Sequence, residues 1–479
     1  MFYEKYLNRV PRSSGWASDK DFSDSRGCLK GRWDLPHEEG GVVQYNHDGD
    51  LVVDGGPECR HVLIIGATGT GKSRLVIMPS LLYSIYAHNR RSLVVFDVKG
   101  ELRKATVEAA EKNGYRVMDI NFYDPTAGNG WNPFHRANEL YFKGGEKNRK
   151  KAWKLLEDVI ASLFNDGQAI KVDPFWRNSS ASLFRGICSA LWSSNKRLSM
   201  ERILALSDSI PVEKDEDFKC TLFNMVERGQ EFESARRMLR GYRSGSSTTR
   251  GNVMACYRGY LSPISARDDV LQMISRDETV EFGTIGDVPT VLYISLPDDT
   301  TALGALQGIL LTQLMQELNE CAMKNGGCLP VHTDIYLDEL CNIHPAVPGL
   351  ETALTIGRSR GIRYVLAIQS FAQLVGVYGS AAETISANAS TWIALNIAKD
   401  TSFRDRLSAL CGANALGDPL ITPSQLALLS YEQAIVIRER CAPYFSRLED
   451  LHGVQERLRA AAARHRPLFR RSSEYRESA

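Results

Sequence analysis

No apolar run in this chain reaches the ~18 residues needed to cross a membrane. Its opening stretch, MFYEKYLNRVPRSSG, lacks the apolar centre of an export signal. The expectation is a chain that begins and stays on the cytoplasmic side, with Phe2, Tyr3, Tyr6 and Leu7 on a frayed helix that offers at most a short amphipathic contact. Excess charge of one sign is also missing. Lys and Arg number 58 against 57 Asp and Glu, a net charge of +1, so any nucleic-acid contact must come from local patches. None of the ten cysteines forms a C-x-x-C pair, which leaves no zinc or redox motif and points to reduced thiols. There is no metal-binding histidine cluster, no Ser-His-Asp arrangement and no cysteine nucleophile. His332 and His344 read as structural. No internal repeat appears. What remains is a composition 43% apolar and 24% charged over 479 residues, that of a soluble globular protein of two or three domains.

One stretch stands out against this background. His61 to Ser73, HVLIIGATGTGKS, reads as a buried strand, a glycine-rich loop and the start of a helix. Gly66, Ala67, Thr68, Gly69, Thr70, Gly71, Lys72 and Ser73 fit G-x-x-x-x-G-K-[ST] at every position. Glycines let backbone N–H groups curl around a polyphosphate without Cβ clashes. The helix that follows points its positive end at the same phosphates. Lys72 can reach the β- and γ-phosphates, and Ser73 can ligate Mg²⁺. The motif calls for ATP and Mg²⁺.

Around this stretch the chain alternates strand and helix. Gly40 onward reads as a hairpin with Asp48-Gly49 at its turn, at the end of a polar lead-in over residues 1–50. Ser92–Asp97 is a strand, about 101–113 a helix and Arg116–Ile120 a strand, the beginning of a parallel, doubly wound α/β sheet. At Trp131-Asn132-Pro133-Phe134 the alternation stops. Residues 139–285 read as an all-α insertion, with an amphipathic helix over 147–165 and further helices over 175–193 and 199–208. Glu213–Phe218 reads as a charged connection and Gly241–Gly251 as a flexible loop. Alternation resumes with strands at 289–296 (ending at Pro297-Asp298-Asp299), 333–338, 361–369, 391–396 and 433–438, and helices over 301–324 and 349–358. The nucleotide-binding domain is thus expected to comprise 51–138 and 286–453. Residues 454–479 form an Arg-rich tail.

The strand ending Ile335-Tyr-Leu-Asp338-Glu339 supplies a second half for the site. Ligands of open α/β sheets bind at the carboxyl ends of the strands. There Asp338 can hold Mg²⁺ and Glu339 can accept a proton from attacking water. Gln369 ends the next strand, where it either contacts the γ-phosphate or lytic water or serves as a capping residue. Arg358 and Arg360, in Gly357-Arg-Ser-Arg-Gly361, form either a solvated basic turn or a turn that lends an arginine to a neighbouring subunit's γ-phosphate. Asp97 suits a helix N-cap as well as it suits catalysis.

Taken together, these motifs resemble the type IV coupling proteins of bacterial conjugation and type IV secretion. The likeness rests on Gly66–Ser73, Phe96–Glu101, Trp131–Phe134, Leu337–Leu340, Gly357–Gly361 leading into Ile368–Ser370, and Ala372–Leu374 with Tyr378-Gly379. It spans about residues 40 to 445. The resemblance implies a RecA-like nucleotide-binding domain carrying an all-α domain, in a homo-hexameric ring with ATP sites between subunits. It implies Lys72 and Ser73 at the phosphates and Mg²⁺, Asp338 as the Walker B aspartate, Glu339 as catalytic carboxylate, Gln369 as sensor and Arg358 as candidate finger in trans. Many members begin with transmembrane helices, whereas here the phosphate loop arrives by residue 66. The expectation is recruitment to the inner face of the membrane by partners. Those implied are a relaxase or relaxosome, single-stranded DNA and type IV secretion channel components.

The expected function is ATP-driven transfer of a relaxase-bound DNA strand, or of protein effectors, to a secretion channel. Two alternatives stand beside it: a non-hydrolysing, ATP-bound adaptor that recruits substrate, and an intracellular translocase of double-stranded DNA. Candidate DNA patches are Lys147–Lys154, Arg236–Arg250 and the Arg-rich tail. Contacts of that kind would weaken steeply with salt.

Overall fold

The computed structural model describes residues 15–23, 28–31, 33, 37–45, 51–56, 58–165, 173–212, 220–227, 229–295, 303–343 and 346–464. The hairpin turn at Asp48-Gly49, residues 213–218 and 297–299, His344, the apolar N-terminal residues Phe2 to Leu7 and the tail past residue 464 lie outside them.

Four short strands come first: β1 (Cys28–Lys30), β2 (His37–Glu39), β3 (Gly41–Tyr45) and β4 (Leu51–Gly55). β3 and β4 pair antiparallel as the expected hairpin, and β1 adds to the far side of β4. Then come β5 (His61–Ile65), β6 (Ala87–Asn89), β7 (Ser92–Asp97), β8 (Arg116–Asn121) and β9 (Thr290–Ser295). The last five are β10 (Thr333–Leu337), β11 (Ile362–Ile368), β12 (Ala389–Ala394), β13 (Gln433–Arg438) and β14 (Tyr444–Arg447). Nine of them build one sheet in the order β14-β13-β12-β5-β11-β10-β7-β9-β8. From β12 to β8 every pairing is parallel, and only the β12–β13 and β13–β14 pairings are antiparallel, so β13 alone of the nine runs in the opposite direction.

The apolar strands of the centre explain this layering. β5, β7, β9, β10, β11 and β12 are buried along their whole length, as strands covered on both faces must be. Alternate residues of one strand face opposite cores. Val62 and Ile64 join Leu75, Val76 and Leu81 of the helix after the phosphate loop, while Leu63 and Ile65 face the other way. That second face continues without a break into the helices between β8 and β9. A single apolar cluster includes Leu63 and Phe96 of the sheet and Phe184, Trp192 and Tyr257 of the insertion.

Between β8 and β9 the described residues form helices and their connections and contain no strand. Pro174–Ser193 starts at Asp173, whose carboxylate accepts from the Phe175 N–H at 2.9 Å. Residues 241–251 are not the flexible loop expected from their glycines and serines. One helix runs Glu233–Ser244 and the next Ser247–Ser265, with only Gly245-Ser246 between them. Ser246 caps the second helix by accepting from the Thr249 N–H at 3.1 Å. Buried Arg250 donates to the carbonyls of Val212 and Gly245 and ties the junction inward. Such local polar residues favour caps over free coil when the next turn has somewhere to pack.

The Trp131–Phe134 stretch is a polar and aromatic hub between the two regions. Trp131 Nε1 donates to Gln313 Oε1 at 3.1 Å, and Gln313 Nε2 donates to the Pro133 carbonyl at 2.7 Å. Asn132 and Asn138 both donate to the Leu198 carbonyl. No disulfide joins any of the ten cysteines. Among the described residues no helix is long and apolar enough to cross a membrane.

Candidate functional site

The phosphate loop leaves β5 at the carboxyl edge of the sheet, between β12 and β11. Two neighbours pin its start: Gly66 N–H donates to the Ile368 carbonyl at 3.2 Å, and Ala67 N–H to the Asn396 carbonyl at 3.3 Å. Gly69 and Gly71 stand at φ +81° and +93°, in the left-handed region where a side chain is strained. Gly71 is the residue before the helix, which opens with π-type turns over Lys72–Ile77 and continues as α-helix over Met78–Ile85. π-turns within helices concentrate at functional sites.

Asp338 follows β10, two strands from β5, and its N–H reaches back to the Phe96 carbonyl at 3.4 Å. Ser73 Oγ donates to Asp338 Oδ1 at 2.8 Å, across a sequence separation of 265 residues. Lys72 Nζ donates to the Gly66 carbonyl at 2.8 Å and lies 3.3 Å from Glu339 Oε1. Lys72, Ser73, Asp338 and Glu339 therefore meet at one point on the sheet edge. Burial pushes the Asp338 carboxyl up to about 6, the Ser73 hydroxyl opposes this, and Glu339 and Asp97 push the same way as burial. Glu339 Oε2 and Asp97 Oδ1 are buried oxygens without a protein partner. Spare acceptors beside an ammonium, a hydroxyl and a helix N-terminus are the donor set that a magnesium-bound polyphosphate requires, so Mg²⁺ and a nucleotide fit these residues.

Asp97 ends β7. Its Oδ2 accepts from the Arg103 N–H at 2.8 Å, and further N–H groups of the Lys99–Leu102 turn also face the carboxylate. Burial nevertheless raises its pKa. Of the two roles open to Asp97, holding the N-terminus of the helix Glu101–Lys112 is the one seen. Gln369 follows β11 directly, beside the carbonyl that receives Gly66 N–H, and is half-buried. The cap of the next helix is supplied by Ser370, whose Oγ accepts from the Gln373 N–H at 3.1 Å, and not by Gln369.

Arg358 is not brought to this point. It is exposed in a turn that precedes β11, and β11 runs parallel to β5, so the turn lies at the opposite edge of the sheet from Lys72. Arg360 in the same turn donates to the Gly327 carbonyl at 3.0 Å. Neither arginine shares a site with Lys72 within one chain. His332 sits between Cys59 Sγ at 3.7 Å and Cys328 Sγ at 3.5 Å at that far edge. Among the described residues no group of His, Cys, Asp and Glu has the arrangement of a metal site.

Two elements of the site escape a reading by motif. The Lys72–Glu339 ion pair joins residues of separate motifs. Asn396, the last residue of the predicted strand 391–396 and two residues past the observed end of β12, holds the loop through its carbonyl. A polar residue at the carboxyl end of a buried strand was the available signal. The basic patches are partly consumed by structure: Lys151 pairs with Glu320 at 2.8 Å, Arg236 donates to the Val226 and Gly229 carbonyls, and Arg237 and Arg240 stay exposed.

Comparison with known proteins adds to this geometry. The sequence model of the type IV secretory system conjugative DNA transfer family matches residues 15–418. No curated protein matches the chain. Among solved structures, the bacterial conjugative coupling protein TrwBdeltaN70 in complex with sulphate is similar at 18% identity and a TM-score of 0.63, over 92% of this chain and 94% of that one. The plasmid coupling protein TrwB in complex with ADP and Mg²⁺ gives 20% identity and 0.59, over 82% and 86%. VirB4 of Thermoanaerobacter pseudethanolicus gives 12% identity and 0.51, over 87% and 97%. At these identities the likeness is one of fold: a RecA-like P-loop sheet with helices inserted.

Proposed function

The chain belongs to the type IV secretory system conjugative DNA transfer family, and from that premise we propose that it is an ATP-hydrolysing coupling protein. One observation carries the reading: residues of the phosphate loop and of Asp338-Glu339 converge within 2.8 and 3.3 Å. In this proposal Gly66–Ser73 wrap the phosphates of ATP and Lys72 neutralises their outer end. Ser73 and Asp338 hold Mg²⁺, which would offset charge on the phosphate oxygens. Glu339 takes a proton from the attacking water, and Gln369 senses the terminal phosphate. Phosphates and Glu339 compete for the same ammonium, so nucleotide entry frees the carboxylate to act as a base.

The finer assignments follow from the family reading. A ring of identical subunits, taken as six, would bring Arg358 of one subunit to the phosphates of the next, since Arg358 is exposed and away from its own Lys72. Residues 51–138 with 286–453 form the motor, and 139–285 the all-α unit. The cargo is a relaxase-bound single DNA strand or protein effectors, delivered to the secretion channel, with contact to the inner membrane made through partner proteins.

ATP turnover by the purified protein tests this, measured with and without single-stranded DNA over a range of protein concentrations. The expected result is turnover that rises with DNA and with concentration and vanishes in Lys72→Ala. Nucleotide binding without turnover in all these conditions would overturn the motor and leave the adaptor.

A further inference from the structure

The sheet order gives the phosphate loop two unlike flanks. Asp338, Glu339 and Gln369 follow β10 and β11 on one side of β5, while Asn396 follows β12 on the other. A nucleotide whose outer phosphates and magnesium lie toward Asp338 must therefore leave the loop toward β12 and β13. On that flank stands a group of side chains that the hydrolytic machinery does not use.

Asn396 organises it. Its carbonyl accepts from Ala67 N–H, and its Nδ2 donates to the Leu429 carbonyl at 2.6 Å. This draws the stretch before β13 against the loop. Two residues on, the Tyr431 ring lies beside Gly71, where a Cβ built on the glycine would sit 3.0 Å from Tyr431 Cε2. The ring is 43% exposed, so the core does not require it. Its hydroxyl donates to Asp450 Oδ2 at 3.4 Å. Asp450 Oδ1 accepts from Arg74 Nη2 at 3.0 Å and from the His452 N–H at 3.0 Å. Arg74 is the residue directly after Ser73. An aromatic face, a guanidinium and a carboxylate that fixes both thus continue the line of the phosphate loop outward, at the start of its helix.

Resting on the nucleotide-binding reading above, we infer that Tyr431, steadied by the Arg74–Asp450 pair, is the stacking platform for the nucleobase. Its ligand class is an aromatic base carried on a polyphosphate. The ring is large and partly exposed, and stacking of a base on an aromatic side chain is tolerant of base identity. Asp450 is engaged by Arg74, Tyr431 and the His452 N–H. Tyr431 is accordingly a positioning residue: it holds the base end while Lys72 and Ser73 hold the phosphates.

Calorimetric titration of the full-length protein with ADP and with inorganic pyrophosphate separates the two ends of the ligand. In Tyr431→Ala, ADP affinity is expected to fall about tenfold or more while pyrophosphate affinity is unchanged. Tyr431→Phe, which keeps the ring and loses only the hydroxyl, should stay within about twofold of the unchanged protein for both ligands. The proposal is overturned if Tyr431→Ala binds ADP as tightly as the unchanged protein. It is equally overturned if ADP and pyrophosphate weaken together, since the ring would then only shape the loop at Gly71. If the unchanged protein binds neither ligand, the nucleotide reading itself fails and the subsite goes with it.

Discussion

The two edges of the central sheet handle buried charge in opposite ways. At the amino edge, Asp334 is fully buried on β10 and accepts from Arg91 Nε at 2.9 Å and Nη2 at 2.7 Å, with Arg363 Nη1 at 3.4 Å. Burial alone would raise its pKa, but Arg363 and Arg91 outweigh that and hold the carboxyl below its ordinary value. Arg91 also reaches Cys59 Sγ at 3.1 Å. Burial opposes ionisation of the Cys59 thiol, yet the His332 contact, Arg91 and Arg363 together draw its pKa down. At the carboxyl edge, four residues on from Asp334 and just past the end of β10 at Leu337, Asp338 is pushed the other way, up to about 6. There, one buried oxygen each of Glu339 and Asp97 has no hydrogen-bond partner in the protein. One edge neutralises its charges internally and gains order. The other keeps acceptors in reserve, the condition expected where a charged ligand is to be bound.

The contrast can be broken most severely at Asp334. Asp334→Ala leaves two guanidinium groups buried without their carboxylate and should cost about 3–5 kcal/mol in urea unfolding. A loss below about 1 kcal/mol would mean that the amino edge admits water and is not a structural clamp.

Acidity should set the two edges against each other. His61, at the start of β5, faces the Leu354 carbonyl through Nε2 at 2.7 Å and accepts from the Tyr364 N–H through Nδ1 at 3.1 Å. Burial lowers its pKa to about 4, with the Leu354 contact opposing. A depressed folded value means its contribution is complete above the unfolded value of about 6.5 and is lost as pH falls toward 4, by about 3 kcal/mol. Asp338 has a raised folded value, so its contribution is present below about 4 and is lost as pH rises through about 6. Stability measured from pH 7 to 4 should fall less steeply in His61→Gln and more steeply in Asp338→Asn. Parallel curves for all three proteins would remove the contrast.

Glu339→Gln sharpens it from the functional side. ATP turnover should drop by about a hundredfold or more, the equivalent of about 2.7 kcal/mol, with nucleotide binding retained and stability little changed. Turnover within about threefold of the unchanged protein would exclude Glu339 as the base. The smallest effect belongs to Arg358, which stands exposed at the clamped edge. Arg358→Ala should alter stability by under about 0.5 kcal/mol. Its turnover should fall only at protein concentrations where the unchanged chain shows its concentration-dependent rise. An equal loss at every dilution would place its role within one chain.

Much of the architecture is legible in local pattern. β7 and β13 coincide with the predicted runs Ser92–Asp97 and Gln433–Arg438, because an apolar run bounded by turn residues is itself the signal of a buried strand. The helix Pro174–Ser193 is announced by Asp173 and the proline after it. Three-residue strands such as β1, β2 and β6 are too short to show a period, and β14 hides in a mixed Tyr444–Arg447 segment. The helices across residues 241–251 were masked by glycine and serine, which in isolation favour turns; the buried ties of Arg250 outweigh that preference. One apolar cluster runs through both the sheet and the helices inserted between β8 and β9.

The sequence by itself determined the strand, glycine loop and helix from His61 onward, since each depends on neighbours within a few residues: apolar side chains in a row, glycines free to take positive φ, and a helix N-terminus that follows. It also determined that Asp338 and Glu339 would stand at the carboxyl end of a strand. Only the tertiary structure decided that β11 lies between β5 and β10, that Ser73 and Asp338 come within 2.8 Å, that the turn of Arg358 falls at the far edge, and that Tyr431 reaches Gly71. The physical reason is common to all four. Strand order and register arise from pairing between segments far apart in the chain, where the free energy lies in shared burial and not in any one segment's own preference.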